Sequence, residues 1–429
     1  MMNKSQKMLN LTDEQESSLN RLASTIEDFH GEFMLIFAHC NYMGLRERLV
    51  QHLQEFCLVE TVVIQPSDIT LYTTIQTQIT EKKPLAVMVL GLETVTNLQQ
   101  MLASADQVRE EFQKNFHFPL ILWVNDRVQV QLMESAPNFE NWGITKELTI
   151  TNEQLAVVLK DKSGDFFTYN SPQLTHGEAL ALEVEIEAAQ RDFRSSENLE
   201  LEVYLQSLLG FVKINMNHKR DSALKHYKKA LELWQQLGDL EKQGTILGEI
   251  AFCYYLQAFK QPLEHPDWQK TRDYLEQALQ AWEDAKRPDL MADSITKLGR
   301  IFRKLEDWEK LKQFAEKALE WHRKDMRISG RIEDYSFLAE VALVQEQWDK
   351  AINLAEESLK IYQIKSENQE VFDPIFSRCN LIKARAEQHL GEYQEAIKFL
   401  EFVEQYGIDF SDIQLYLDIL HDLHQFYFE

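Results

Sequence analysis

Glycine and proline are scarce in this chain of 429 residues, numbering 14 and 9. That scarcity argues against a turn-dense all-β architecture. Cysteine is scarce too, with single residues at 40, 57, 253 and 379. None has a partner at metal-binding or disulfide spacing, so neither a zinc site nor a disulfide framework is encoded, and a reducing compartment fits. Long apolar runs are missing; the longest, Leu85–Leu90, is far too short to span a bilayer. The opening stretch Met1–Asn10 is polar and lacks the apolar core of a secretion signal. A cytoplasmic protein without a membrane partner is therefore expected. Positive charge is also in deficit, with 45 basic against 69 acidic side chains and a net charge of −24. The deficit is spread, −8 over residues 1–150 and −16 beyond. Such a surface repels phosphate backbones, and no basic stripe stands out, so nucleic acid is not an expected partner.

What the chain does contain is enough apolar material, 44 %, for two or three packed domains. Residues 1–150 carry five short apolar runs: Phe33–Ala38, Val59–Ile64, Leu85–Leu90, Leu120–Val124 and Lys146–Ile150. Each reads as a strand buried on both faces. Helical stretches fall between them at Gly44–Glu55, Leu71–Glu81, Val95–Asn115 and Arg127–Glu134, and Thr12–Phe29 precedes the first. Alternating strand and helix specifies an open, doubly wound parallel α/β sheet.

Ligands of such sheets sit at the carboxyl ends of the strands. After the first strand the chain reads His39-Cys40-Asn41-Tyr42-Met43-Gly44-Leu45-Arg46. A phosphate-cradling loop needs two glycines, a lysine and a Ser/Thr for magnesium. Only Gly44 is present, with Leu45 and Arg46 where the lysine and hydroxyl would stand. Glu93 is the one acid after strand three, and Asn125-Asp126 tips strand four. The loop is degenerate, so neither nucleotide nor any other cofactor is expected, and a non-hydrolysing domain is the reading. His39-Cys40 lacks an identifiable orienting Asn or Asp, which favours a buried structural thiol over a nucleophile. A phosphoacceptor site would need acids where His39-Cys40-Asn41 stand.

Residues 151–196 read as a connector: a short helix Asn152–Leu159, a polar turn Lys160–Asp165, irregular chain to Pro172, then a helix Gly177–Arg194. From 197 to 429 a repeat takes over. A small residue is followed nine positions later by an aromatic and twelve later by an apolar residue, as Gly299–Trp308–Leu311, Ala339–Trp348–Ala351 and Ala384–Tyr393–Ala396. The small residue recurs as Gly210, Gly248, Gly299, Ala339 and Ala384, and a second one as Ala230, Ala278, Ala318 and Ser358. The period is forty residues between the first two copies and forty-five to the next. About five helical hairpins are expected, with an insertion around Gln261–Gln269 in the second and an unusually apolar final helix, Ile413–Phe428. Trp234, Trp282, Trp308 and Trp348 read as inter-helix packing.

These offsets resemble the tetratricopeptide repeat, with a longer period that calls for longer helices or turns. The resemblance implies an all-α solenoid whose first helices line a partner-binding groove. Carried onto this chain, the lining would be Lys242, Thr245 and Glu249, then Asp293, Thr296, Arg300 and Arg303, then Glu333, Ser336 and Glu340. Arg300 and Arg303, three apart on one helix, could clamp a partner's carboxylate. Phe118–Asp126, Ala136–Trp142, Lys286–Leu290 and Phe337–Leu343 further resemble segments of cyanobacterial signalling NTPases with numerous domains. There an ATPase-like α/β domain precedes tetratricopeptide repeats. The expectation is a non-enzymatic scaffold or regulatory adaptor holding a peptide or helix in its groove. The competing expectation is a nucleotide-binding signalling ATPase, or a component of a defence or stress sensor.

Overall fold

The computed structural model describes residues 10–79, 84–167, 176–193, 198–215, 219–365 and 374–391. The chain divides into two compact units, Met1–Leu233 and Trp234–Glu429.

The first unit opens with helix α1 (Asp13–Asp28) and strand β1 (Met34–His39), then α2 (Met43–Phe56), β2 (Val59–Val63), α3 (Leu71–Gln78) and β3 (Ala86–Leu90). It continues through α4 (Leu98–Gln107), α5 (Arg109–Asn115), β4 (Pro119–Val124), α6 (Asp126–Ser135), α7 (Pro137–Glu140) and β5 (Gly143–Glu147). The strands form one parallel sheet in the order β2-β3-β4-β1-β5. Its core holds Leu35, Phe37, Val87, Val89, Leu120 and Leu122 against α4–α7, the continuous apolar strands that burial on both faces demands. The expected strands are found, but the fifth starts at Gly143 and not at Lys146. Gly143 lies where a Cβ would fall 2.3 Å from the Phe37 ring, and Thr151 is taken as the cap of the next helix. The expected helix Val95–Asn115 is also interrupted: a 3₁₀ turn (Leu92–Thr94) precedes α4, and Val108 separates α4 from α5.

Four helices complete this unit: α8 (Asn152–Phe166), α9 (His176–Asp192), α10 (Leu199–Asn215) and α11 (Arg220–Leu237), the last running into the second unit. The polar turn expected at Lys160–Asp165 is helical. Lys162 pairs with the buried Glu185 at 2.9 Å, Ser163 is buried, and Phe166 packs on Phe211, so tertiary contacts override a turn-like sequence. Thr12 and Thr151 each close a capping box with Gln15 and Gln154. The two glutamines then bond each other at 2.8 and 2.9 Å, tying α1 to α8.

The second unit contains α12 (Leu240–Ala258), α13 (Pro266–Asp284), α14 (Pro288–Asp293), α15 (Ile295–Lys304), α16 (Trp308–Lys324), α17 (Ile328–Val344), α18 (Trp348–Lys365) and α19 (Pro374–Leu390). They pack as successive antiparallel hairpins, α12 on α13, α15 on α16 and α17 on α18. The long period resides in the helices: α16, α17 and α18 run 17, 17 and 18 residues. The expected insertion is a short turn before Pro266, pinned by the buried Trp268, whose indole N–H donates to the Gln261 carbonyl at 3.3 Å. The third repeat's first helix is split at Ser294. The small-residue contacts are present: a Cβ on Gly210 would meet Tyr227 at 2.5 Å, and one on Gly299 would meet Phe337 at 2.8 Å. In the second repeat Gly244, not Gly248, makes the tight approach, 2.7 Å from Trp282. Trp234 and Trp282 are buried and Trp348 stacks on His389. Tyr393, Ala396 and the final apolar helix lie outside the described residues.

A twenty-residue rule governs the turns. Lys286, Glu306, Met326 and Glu346 all adopt left-handed backbone, φ 54–58°. The residue after each donates its N–H five positions back, as Arg287 to Trp282, Asp307 to Phe302, Arg327 to His322 and Gln347 to Ala342. These are Schellman closures, which glycine fits best. Met326, 75 % exposed, loses little packing on truncation. Met326→Gly is therefore expected to raise stability by about 0.5–1 kcal/mol, measured by urea denaturation; a loss would contradict the assignment.

Candidate functional site

Two places could carry function: the carboxyl end of the sheet and the row of first helices. At the sheet end, β1 runs into α2 through Cys40, Asn41 and Tyr42 alone. The chain's own side chains pair with one another around this end. Arg46, in the first turn of α2, donates to Glu93 Oε1 at 2.5 Å, and both are buried. Burial opposes the Arg46 charge, but Glu93 outweighs it and holds the guanidinium above its ordinary pKa. Arg127 donates to the Glu93 carbonyl at 2.9 Å. Helix α9 lies over this edge: Arg191 pairs with Asp126, and the Tyr42 hydroxyl donates to Asp192 at 2.5 Å. Gly177 sits where a Cβ would be 2.2 Å from the Thr94 carbonyl oxygen, so α9 packs on the backbone of the turn after β3.

His39 stands between Glu147, 2.6 Å from Nδ1, and Asp126, 2.9 Å from Nε2. Asp126 is itself held by Arg191 and by the Asn41 carboxamide, which accepts its backbone N–H at 2.9 Å. Burial would raise the Asp126 pKa, but these partners bring it below the usual carboxylate range. Cys40 is no nucleophile beside them: burial pushes its thiol up to about 12, where the thiolate is negligible at neutral pH. Among the described residues, no group of three His, Cys, Asp or Glu side chains could hold a metal ion. A cleft of about 450 Å³ opens between α6 and α9, lined by Asp126, Arg127, Val130, Val184, Glu187 and Arg191.

The second place is the inner row α12, α15, α17 and α19, which lie side by side. Lys242 is half-buried, 3.6 Å from Glu241, and the Thr245 hydroxyl donates to the Glu241 carbonyl at 3.1 Å. Glu249 is buried and paired with Lys297 at 2.6 Å. Asp293 is engaged by Arg327 and lies 3.6 Å from His322. Thr296 is half-buried, and Arg300 is exposed. Arg303 stands 3.8 Å from Glu340, so two sequence-chosen residues from adjacent repeats meet there. Glu333 and Ser336 are buried within α17, at 6 % and 0 % exposure. The accessible part of the row is thus Lys242, Thr245, Thr296, Arg300, Arg303 and Glu340. Lys297 was not picked from the sequence, yet its ammonium lies over the Phe252 ring at 5.0 Å. Its spacing of four from Asp293 and three from Arg300 is the signal that would have placed it on the same face.

These hairpins and this sheet define a helical-repeat protein with a small parallel sheet near its N-terminus. No protein-family model matches the chain. Over 118 residues it is 30 % identical to an uncharacterised WD repeat-containing protein of Synechocystis, covering 26 % of this chain and 7 % of that one. The chain thus spans a small fraction of the curated relative it matches. Among solved structures it is similar to a Rap protein complexed with competence and sporulation factor, at 12 % identity and TM-score 0.41, covering 97 % of this chain and 98 % of that one. It is also similar to a signal transduction ATPase with numerous domains and a tetratricopeptide repeat sensor from Pyrococcus horikoshii (10 %, TM-score 0.37, covering 96 % and 85 %). Among the described residues, no helix is long and apolar enough to cross a membrane.

Proposed function

We propose that the chain is a non-enzymatic cytoplasmic scaffold or regulatory adaptor whose repeats hold a partner peptide or helix. In this reading residues 1–150 are an α/β domain with a degenerate P-loop, 151–196 a connector, and 197–429 the binding array. The observation that carries it is the accessible polar row on the stacked first helices, where Arg300 is exposed and Arg303 and Glu340 come together across two repeats. Exposed charges on a rigid helical face suit recognition of a charged, extended or helical ligand. The buried Glu249, Glu333 and Ser336 and the ion-paired Asp293 act in this reading by shaping the row and not by touching the partner. Affinity capture with the full chain, compared between wild type and Arg300→Glu/Arg303→Glu, tests it: the variant loses the partner. Equal recovery of the same partner by both proteins sinks the clamp.

The pairing of Arg46 with Glu93 supports a reading without nucleotide chemistry. With Arg46 committed to Glu93 and α9 overhead, isothermal titration with ATP and magnesium is expected to give no binding heat. Micromolar binding that disappears on substitution of Arg46 would establish the signalling-ATPase reading in its place.

A further inference from the structure

The expectation that no basic stripe stands out is corrected in one place, where a local basic run lies within the acidic whole. Between positions 213 and 229 the sequence holds six lysine and arginine side chains and one aspartate, in a chain of net charge −24. The helical period of α11 sorts them. Ala223, Leu224, Tyr227 and Ala230 are buried, which leaves Arg220, Lys225, Lys228 and Lys229 exposed, with Lys219 just before the helix. Lys213 of α10 is already matched by Glu187 at 3.0 Å and Glu183 at 3.8 Å, and Lys229 by Glu202. Lys219, Arg220 and Lys225 have no carboxylate within ion-pair distance among the described residues. Three unmatched cations are therefore exposed, Lys219 and Arg220 at the start of α11 and Lys225 further along it. The field is felt locally: burial, and then the charges of Lys213 and Lys229, lower the pKa of His226 on the same helix.

We propose that this exposed basic stretch of α11 is a docking surface for an acidic segment of a partner protein. Residues 220–229 span about 15 Å of helix, which suits a few consecutive carboxylates. Carboxylate ligands fit the composition better than nucleic acid does. Five of the six cations are lysines, which act as hydrated point charges and not as bidentate phosphate forks. The exposed positions of the stretch (Arg220, Asp221, Lys225, Lys228 and Lys229) include no aromatic ring on which a base could stack. The surface shares no residue with the first-helix row, so it can succeed or fail independently of the groove reading.

The test is fluorescence anisotropy of a labelled oligo-glutamate of about six residues, a length matched to the patch, titrated with the full chain. Binding is expected at low salt and should weaken severalfold as ionic strength rises from about 50 to about 200 mM. Lys219→Glu/Arg220→Glu/Lys225→Glu should weaken it by about tenfold or more. The Gln counterparts should give a smaller loss in the same direction, and circular dichroism should show native helicity in both variants. Unchanged peptide binding by the charge-reversed chain overturns the proposal. So does tighter binding of a single-stranded DNA of equal charge, which would make the stretch a nucleic-acid surface. Failure of the groove would appear only in the Arg300/Arg303 capture experiment.

Discussion

Arg46→Met is expected to destabilise the first unit by about 3–5 kcal/mol, because it strands one member of a buried ion pair. Glu93 is 2 % exposed, and its Oε2 already lacks a hydrogen-bond partner. Without Arg46, Oε1 would lose its partner too, and the carboxylate must then stay charged in a dry site or take up a proton. The double variant Arg46→Met/Glu93→Leu removes the charge along with its partner. Apolar replacements of a buried pair are often neutral, so the double variant should recover most of the loss. Urea denaturation of wild type, Arg46→Met, Glu93→Leu and the double variant closes the cycle. A double variant as unstable as the single one would mean that the pair fixes the turn after β3 in a way apolar side chains cannot. A single-variant cost below about 1 kcal/mol would place the pair in effective contact with water. The experiment also bears on function, because the arginine that could have met a phosphate is the one the protein uses to close its own sheet.

Much of this architecture was legible because it is written in periodicities. The doubly buried strands read as apolar runs, and the small residues at 210 and 299 read as close approaches before the Tyr227 and Phe337 rings were seen against them. Element ends were less legible. Strand five starts three residues early because Phe37 requires a glycine opposite it, and Lys160–Asp165 is helical because Lys162 reaches a buried acid from α9. Neither cause lies within the local window. The twenty-residue recurrence of left-handed turns was invisible because lysine, glutamate and methionine occupy positions where glycine would have announced them. Of the candidate row, helical spacing gave the face but not the depth. Asp293 and Ser336 sit at correct offsets yet are withdrawn, one into an ion-pair network and the other into α17. The basic stretch of α11 was present in composition, but its meaning depended on which cations found partners in space.

Raising the pH from 6.5 to about 9.5 is expected to cost the second unit stability through one histidine. His322 is fully buried, with Nδ1 2.7 Å from Asp334 and Nε2 3.6 Å from Asp293. Burial opposes its charge, but the two carboxylates more than offset that and raise its pKa from 6.5 to about 9. A folded-state value above the unfolded one means the contribution is complete below pH 6.5 and is lost as pH rises through about 9. The shift corresponds to about 3 kcal/mol. Asp334, fully buried, is pushed up to about 6, with His322 pulling the other way. Its contribution has the same sign but falls between pH 3.8 and 6, below the window tested. Denaturant melts at pH 6.5 and 9.5 should therefore show a drop in wild type that is absent in His322→Gln, a variant already weaker at pH 6.5. Parallel losses in the two proteins would assign the effect to other groups. A drop confined to wild type would fix the charge state of the network that holds Asp293, and so the electrostatics of the row, where Arg300 is exposed while Arg303 stands beside Glu340.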